Sequence, residues 1–110
     1  MIGRGNTCYL AYPIPEFADD IEVAYVTYYQ HGKVVLEKEI IDMDFDYLLE
    51  RNNHIIVKLS QEESLLFKET VRSEKDMVEV HIRIRTFDGE AFSSQVFNER
   101  VQKTLKEGVI

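Results

Sequence analysis

The sequence contains one cysteine, two prolines, five glycines and no tryptophan among its 110 residues. The single Cys8 has no partner for an intramolecular disulfide and cannot supply a multi-cysteine zinc cluster. Basic side chains are also few, because 13 Lys and Arg stand against 20 Asp and Glu, which gives a formal net charge of −7. Phosphate backbones and anionic headgroups repel such a chain, so we expect neither nucleic acid nor a membrane as partner.

Long hydrophobic runs are missing as well. No apolar stretch approaches the ~20 residues that span a bilayer, and the opening MIGRGNTCYLAYPIP lacks the apolar segment of a signal peptide. Ile2 stands where N-myristoylation requires glycine. Hydrophobic residues still make up 45% of the chain, which is enough for one core. We therefore expect one soluble domain over residues 1–110, with residues 1–6 flexible.

Alternation of apolar and polar side chains predicts most of the strands. Over residues 77–86, Val or Ile occupies every second position and Glu, His or Arg lies between them, which is the period of a half-buried strand. Asp88-Gly89 then predicts a type I′ hairpin turn into a strand over 90–97. Residues 21–30 and 33–39 predict a second hairpin around His31-Gly32, and residues 54–59 predict a fifth strand.

Two weaker strands and one helical turn complete the prediction. Residues 7–12 precede Pro13, which restricts that strand to a sheet edge, and residues 42–48 alternate Asp with apolar side chains. Ser60 followed by Glu63 has the spacing of a capping box, so we expect one helical turn within residues 60–67 that carries the chain from one sheet to the other. We expect Leu66 or Phe67 to close the end of the core. After Asn98, a short helix and a continuing strand are both compatible with the sequence.

About seven short antiparallel strands with one helical crossover are typical of an immunoglobulin-like antiparallel β-sandwich, and this all-β architecture is our prediction. A small Greek-key barrel is the alternative.

One acidic segment is a weak candidate for a metal site. Asp42, Asp44 and Asp46 form D-x-D-x-D, which resembles the start of a calcium-binding loop. Such a loop also needs glycine at its sixth position and glutamate at its twelfth, where this chain has Tyr47 and Asn53. We therefore expect a solvated acidic face here, with a bound cation as the alternative.

The other reactive residue types lack the patterns of a catalytic site. His31, His54 and His81 have no second ligand at a recognised spacing, and we expect Cys8 to be a small buried side chain. The sequence has no G-x-S-x-G nucleophile motif and no glycine-rich phosphate loop. We expect no catalytic residues, no cofactor and no enzymatic activity.

A basic stripe on the most regular strand is the first interface candidate. Its side chains share the outward face of the predicted strand, where two guanidinium groups lie ~7 Å apart: His81, Arg83 and Arg85. Arginine is favoured at protein interfaces. The simpler alternative is that acids on the same or a neighbouring strand pair with the stripe, namely Glu79, Glu37 or Glu39.

A group of tyrosines is the second interface candidate: Tyr25, Tyr28 and Tyr29. Because adjacent residues of a strand face opposite sides, at least one ring points outward, where it can contact a protein or stack on a sugar. A carbohydrate-binding sandwich is therefore our alternative function, with Asp42, Asp44 or Asp46 holding calcium or sugar hydroxyls.

The order of the segments resembles a known family. The succession VTYYQHGKVVLEKE, HIIVKLSQEESLLF, VEVHIRIRTFDGEAFSSQVF and LKEGVI, within residues 21–110, is similar to small proteins encoded among the virion genes of tailed phages and prophages of Gram-positive bacteria. That family has mostly unassigned roles and no catalytic residues to transfer. The architecture is also distantly similar to the immunoglobulin-like N-terminal domain of phage baseplate upper proteins. The sequence up to Ile110 includes no helical linker or receptor-binding region of that kind, so we do not expect their attachment role to carry over.

This resemblance implies a non-enzymatic structural or assembly module, associated with a phage tail or baseplate. Its expected partners are other phage structural proteins or further copies of itself, as a homo-oligomer. We expect it to reside in the host cytoplasm during assembly, with the virion as a further destination. Unpaired edge strands that add a partner's strand are the expected mechanism of contact.

Overall fold

The structure is a computed structural model that describes residues 1–13, 21–41, 54–70, 76–102 and 109–110. Its elements in chain order are β1 (Ile2–Gly3), β2 (Cys8–Pro13), β3 (Ile21–Gln30), β4 (Lys33–Ile41), β5 (His54–Leu59), α1 (Gln61–Ser64), β6 (Val78–Thr86), β7 (Ala91–Ser93), β8 (Phe97–Glu99) and β9 (Val101–Gln102). The described segments include no helix with the length and apolar character needed to cross a bilayer.

Most strands pair in two antiparallel sheets. The larger sheet has the order β4-β3-β6-β7, with β8 also paired to β6, and the smaller sheet consists of β2 and β5. An immunoglobulin-like sandwich joins its strands in the same way, with B beside E in one sheet and C′, C, F and G in the other. The prediction of an all-β sandwich is confirmed. A separate parallel pair, β1 with β9, lies outside these two sheets.

The core lies between the inner faces of the two sheets. On β6 every second residue is buried and every residue between is exposed, so the strict alternation of the sequence becomes one inward and one outward face. Ile55, Val57 and Leu59 of β5 are buried opposite this face. Phe67, only 1% exposed, packs edge-on against Tyr28 with ring centroids 5.6 Å apart. Phe67 therefore fills the core, whereas Leu66 is 54% exposed.

The helical crossover is a capped single turn. The backbone N–H of Glu63 donates to Ser60 Oγ over 3.1 Å, and the backbone N–H of Ser60 donates to Glu63 Oε1 over 2.9 Å. These reciprocal bonds confirm the predicted capping box. The turn carries the chain from β5 of the smaller sheet to β6 of the larger one.

The turn between β6 and β7 differs from its prediction. Gly89 has φ of 85°, but Asp88 does not share a positive φ. The N–H of Gly89 donates to Thr86 O, and the N–H of Thr86 donates to Glu90 O. These bonds enclose a three-residue loop with glycine in the left-handed position, so the predicted two-residue type I′ turn is wrong. The type I′ conformation occurs instead at His31 and Gly32, where φ is 55° and 75°.

The strand predicted over residues 90–97 is interrupted. Ser93 of β7 lies opposite Arg83, and Phe97 of β8 lies opposite Val80, so four residues on one side span three on the other. An extra residue of this kind is a β-bulge, and it splits the predicted strand in two. Beyond it the described chain forms two short strands, β8 and β9, separated by Arg100, so the structure shows strand and no helix over residues 97–102.

The first six residues, which the sequence predicts to be flexible, contact the rest of the sandwich. Ile2 belongs to β1, is fully buried and lies opposite Val101 of β9. The N–H of Ile2 donates to Arg100 O over 2.8 Å, and the N–H of Gly5 donates to Ser64 Oγ over 2.9 Å. Burial of an isoleucine side chain and these backbone bonds fix the segment against the core.

Candidate functional site

One exposed surface of the larger sheet collects most of the predicted interface residues. Ala24, Val26 and Tyr28 of β3 point into the core, so the residues between them point outward. The same alternation orients β4 and β6. We call the resulting surface the outer face, and its central residues are Tyr25, Thr27, Tyr29, Glu37, Glu39, His81, Arg83 and Arg85.

Cross-strand register arranges the outer face in rows. Tyr25 of β3 lies directly between Glu39 of β4 and Arg83 of β6. Two residues further along β3, Thr27 lies between Glu37 and His81. Each row therefore has an acidic residue at one side, an uncharged residue in the middle, and a basic or titratable residue at the other side.

A depression lies beside the first row. It has a volume of about 230 Å³ and is lined by Tyr25, Arg83, Ile84, Arg85 and Ala91. Ala91 lies opposite Arg85 in the sheet, so its small side chain leaves room beside the two guanidinium groups. An aromatic ring beside two arginines suits a ligand with a carboxylate, because guanidinium groups bind carboxylates with two parallel hydrogen bonds.

The charges of the outer face are only partly paired. Arg85 Nε lies 3.3 Å from Glu22 Oε2, and His81 Nε2 lies 3.4 Å from Glu79 Oε2. The His81 ring also contacts Tyr29 edge-on, with centroids 4.7 Å apart. Arg83 is exposed and forms no ion pair within the described part of the chain.

Of the three acids predicted to pair with the basic stripe, only Glu79 does so among the described residues. Glu79 pairs with His81 as expected, but Arg85 pairs with Glu22. Glu37 instead accepts a hydrogen bond from Thr27 Oγ1 over 3.1 Å. None of these acids forms an ion pair with Arg83 in the part of the chain that the structure describes.

Tyr28 does not belong to the outer face. Its side chain is fully buried, and its hydroxyl lies 3.3 Å from the hydroxyl of Tyr12. Burial raises the pKa of both hydroxyls above the ordinary value of tyrosine. Because it is buried, Tyr28 is excluded as a contact for a partner protein or a sugar ring. Tyr25 and Tyr29 take the outward positions.

The metal-ligand candidates remain separate or undescribed. Asp42, Asp44 and Asp46 lie outside the described residues. In the segments that are described, no three His, Cys, Asp or Glu side chains come together in a way that could hold a metal ion.

The two other histidines that the sequence singles out, and the single cysteine, each lie close to another residue. His31 Nε2 lies 2.6 Å from Asp76 Oδ1, and His54 lies opposite Pro13 at the start of β5. Cys8 is buried, as predicted, with Sγ 3.5 Å from Asn6 O.

A second polar site lies at the open side of the sandwich, between β4 and β5. A groove of about 410 Å³ there is lined by Lys38, Glu39, Ile40, Val57, Lys58, Ser60 and Glu63. Lys38 Nζ donates to both carboxylate oxygens of Glu63, over 2.9 and 2.8 Å. Partial burial pushes the pKa of Glu63 upward, but hydrogen bonds from Lys38 and the Ser60 backbone, with the Lys38 charge, outweigh it and lower the pKa. Lys38, Glu63 and the Ser60 backbone satisfy one another here, so we call their contact the clamp between α1 and β4.

Sequence reasoning missed the depression and the position of Glu39. Neither Ala91 nor the row that joins Glu39, Tyr25 and Arg83 has a local motif, because both depend on cross-strand register. Comparison of the chain with protein-family models, with curated proteins and with solved structures found no match.

Proposed function

We propose that this protein is a non-enzymatic interaction module that binds another protein through its outer face. The observation that carries the proposal is Arg83, an exposed guanidinium without an ion pair in the described segments, which lies beside the Tyr25 ring at a depression. Tyrosine and arginine are enriched among the residues that dominate binding energy at interfaces. The sheet fixes their backbone positions, so mainly the side-chain rotamers have to become ordered on binding.

The sheet face supports binding better than the sheet edges do. Among the described strands β4 has a neighbour on one side only, but a register shift and the inward-pointing Lys38 interrupt its edge. Bulges and inward charges are devices that protect edges from pairing with other chains. β7 and β8 have three residues each, and β2 ends in Pro13. These features favour side-chain contacts on the outer face over strand addition.

The proposed setting is the assembly or the structure of a phage tail or baseplate. Its support is the resemblance of residues 21–110 to small proteins encoded among virion genes, together with an all-β sandwich whose described surface includes the outer face and its depression. In that setting the partners are other virion proteins.

Affinity capture from a lysate of the source strain after prophage induction tests this proposal. The wild-type chain, Arg83→Glu and the control Lys58→Glu serve as baits. Lys58 lies opposite the exposed Tyr9 on the smaller sheet, so the control makes the same charge change beside an exposed tyrosine elsewhere. We expect virion proteins with the wild type and with Lys58→Glu, and at least about tenfold less with Arg83→Glu. Equal recovery with Arg83→Glu, or capture without virion proteins, would contradict the proposal.

A further inference from the structure

The outer face carries opposite charges on opposite sides of β3. The acidic strip is Glu37 and Glu39 on β4, and the basic strip is His81, Arg83 and Arg85 on β6. Tyr25 and Thr27 of β3 lie between the strips. A surface with this layout is complementary to itself, which is the property that a two-fold symmetric interface requires.

We propose that a second copy of this chain binds the outer face, with a two-fold axis parallel to β3. This inference rests on the binding surface of the proposed function and adds a second copy of the chain as a further occupant of that surface. Rotation about such an axis places β4 of one copy over β6 of the other. Each row keeps its position along the strands, so it faces the same row of the second copy. Glu39 of each copy then faces Arg83 of the other, Glu37 faces His81, and the Tyr25 rings meet on the axis.

The alternative face-to-face arrangement is unfavourable. A two-fold axis perpendicular to the strands would place β4 over β4 and β6 over β6. Glu37 and Glu39 would then face acids, and Arg83 and Arg85 would face bases, which costs free energy at both strips. Only the axis along β3 places Glu39 opposite Arg83 and keeps like charges apart in both rows. The next row, in which Tyr29 lies between Val34 and Glu79, faces no like charge in this arrangement.

The depression gives Glu39 of the second copy a place to bind. It opens beside Tyr25 and Arg83, in the row that this carboxylate faces. Arg83 has no ion pair with the described residues of its own chain, so it can donate two hydrogen bonds to the incoming carboxylate. Arg85, which is held by Glu22, forms the opposite wall.

The size of the face sets the expected affinity. Three strands about 4.8 Å apart and about 30 Å long, with the short β7 and β8 beside them, give a face of roughly 500 Å² on each copy. Stable interfaces bury about 800 Å² per partner, so this dimer belongs to the weak class. We expect a dissociation constant of roughly 10 to 500 µM.

Analytical ultracentrifugation of the full chain from about 5 µM to 1 mM tests the inference, at about 0.15 M salt so that the net charges of the two copies are screened. The variants are Glu39→Arg, Arg83→Glu and the control Lys58→Glu. Each exposed charge reversal should leave the fold intact, which circular dichroism checks. We expect dimers of the wild type and of Lys58→Glu, and a dissociation constant at least about tenfold higher for each of the other two.

Mixing the two disruptive variants is the decisive measurement. Glu39→Arg has two bases in the row and Arg83→Glu has two acids, so an equimolar mixture should form a heterodimer in which both contacts pair opposite charges. A wild type that stays monomeric, a dimer insensitive to either reversal, or a mixture that does not associate would each overturn the inference.

The two proposals fail in different ways. If the wild type is monomeric but Arg83→Glu still loses the virion proteins in the capture experiment, the proposed function holds and the second-copy inference fails. If the charge-dependent dimer forms but no virion protein is captured, the inference holds and the proposed function fails.

Discussion

Adjacent side chains on β6 alternate between the buried core and the exposed outer face. Substitutions at two neighbouring positions therefore test which way each side chain faces. Ile82 is 2% exposed in the core, whereas Arg83 is exposed on the outer face. We expect Ile82→Asp to lower the free energy of unfolding by more than about 3 kcal/mol, because it buries an unpaired charge. Arg83→Ala should change it by less than about 0.5 kcal/mol. Urea denaturation followed by circular dichroism measures both, and similar midpoints for the two variants would show that the assigned facing is wrong.

The buried pair of Tyr12 and Tyr28 predicts a loss of stability at alkaline pH. Burial raises the pKa of both hydroxyls in the folded state. Their contribution is therefore complete below pH 10, the pKa of tyrosine in the unfolded chain, and falls as the pH rises above it, because only the unfolded state loses the proton. The equilibrium constant for folding should fall by about tenfold per pH unit for each tyrosine.

Denaturation of the wild type, Tyr12→Phe and Tyr9→Phe between pH 8 and 11.5 checks this dependence. Tyr12→Phe should flatten the alkaline loss. Tyr9 is 62% exposed, so Tyr9→Phe should follow the wild-type profile. Identical profiles for all three chains would contradict the assignment.

Sequence patterning predicts the environment of some residues and not of others. Ile82 and Arg83 follow from strict alternation, which needs no tertiary information. Tyr28 and Tyr29 are chemically alike and adjacent, so alternation places one inward without identifying which. Packing decides, because the inward Tyr28 contacts Phe67, a residue from a different part of the chain.

The turn between β6 and β7 depends on Gly89. Its φ of 85° lies in the left-handed region, and no atom lies within 4 Å of the place where a Cβ would be. Gly89→Val should therefore lower stability by about 1–3 kcal/mol through backbone strain alone, without steric overlap. Asp88→Ala in the same turn is the control and should change stability by less than about 0.5 kcal/mol. A thermal melt in which both variants match the wild type would refute the role of Gly89.

The clamp between α1 and β4 predicts a loss of stability in acid. The pKa of Glu63 is lower in the folded protein than in the unfolded chain. Its contribution is therefore present above the unfolded value, about pH 4.3, and is lost as the pH falls through the lower folded value. We expect Glu63→Gln to reduce stability at pH 7 and to show a smaller further loss below pH 4.5 than the wild type. Glu62→Gln, at an exposed position of the same helix, should keep the wild-type profile in denaturation series from pH 7 to 3.

Strands are predictable as elements, but their register is not. Gln30 lies opposite Lys33 beside the two-residue turn, and continuing that register would place Lys38 opposite Tyr25. The shift between Tyr28 and Tyr29 instead places Glu39 there, and it turns Lys38 inward toward Glu63. One extra residue reverses the facing of all that follow it. The acidic strip of the outer face therefore depends on a bulge that no local pattern marks.

At the scale of the whole molecule, local patterns determine the class of fold and long-range pairing completes it. Alternation, turn residues and the Ser60 capping box predict the two-sheet sandwich. The parallel pairing of β1 with β9 joins residues 99 positions apart through two residues on each strand. A two-residue strand is too short to show a period, so the sequence predicts no strand within residues 1–6.

The burial of Ile2 allows the contribution of the β1–β9 pairing to stability to be measured. Its side chain is fully buried in the same core cluster as Val101. Ile2→Ala should therefore lower the free energy of unfolding by about 2–5 kcal/mol, because it leaves a cavity in the core. Val109→Ala, at a position 55% exposed, should cost less than about 0.5 kcal/mol. If urea midpoints show that Ile2→Ala is as stable as Val109→Ala, the first strand does not belong to the cooperative unit, and the sandwich folds without it.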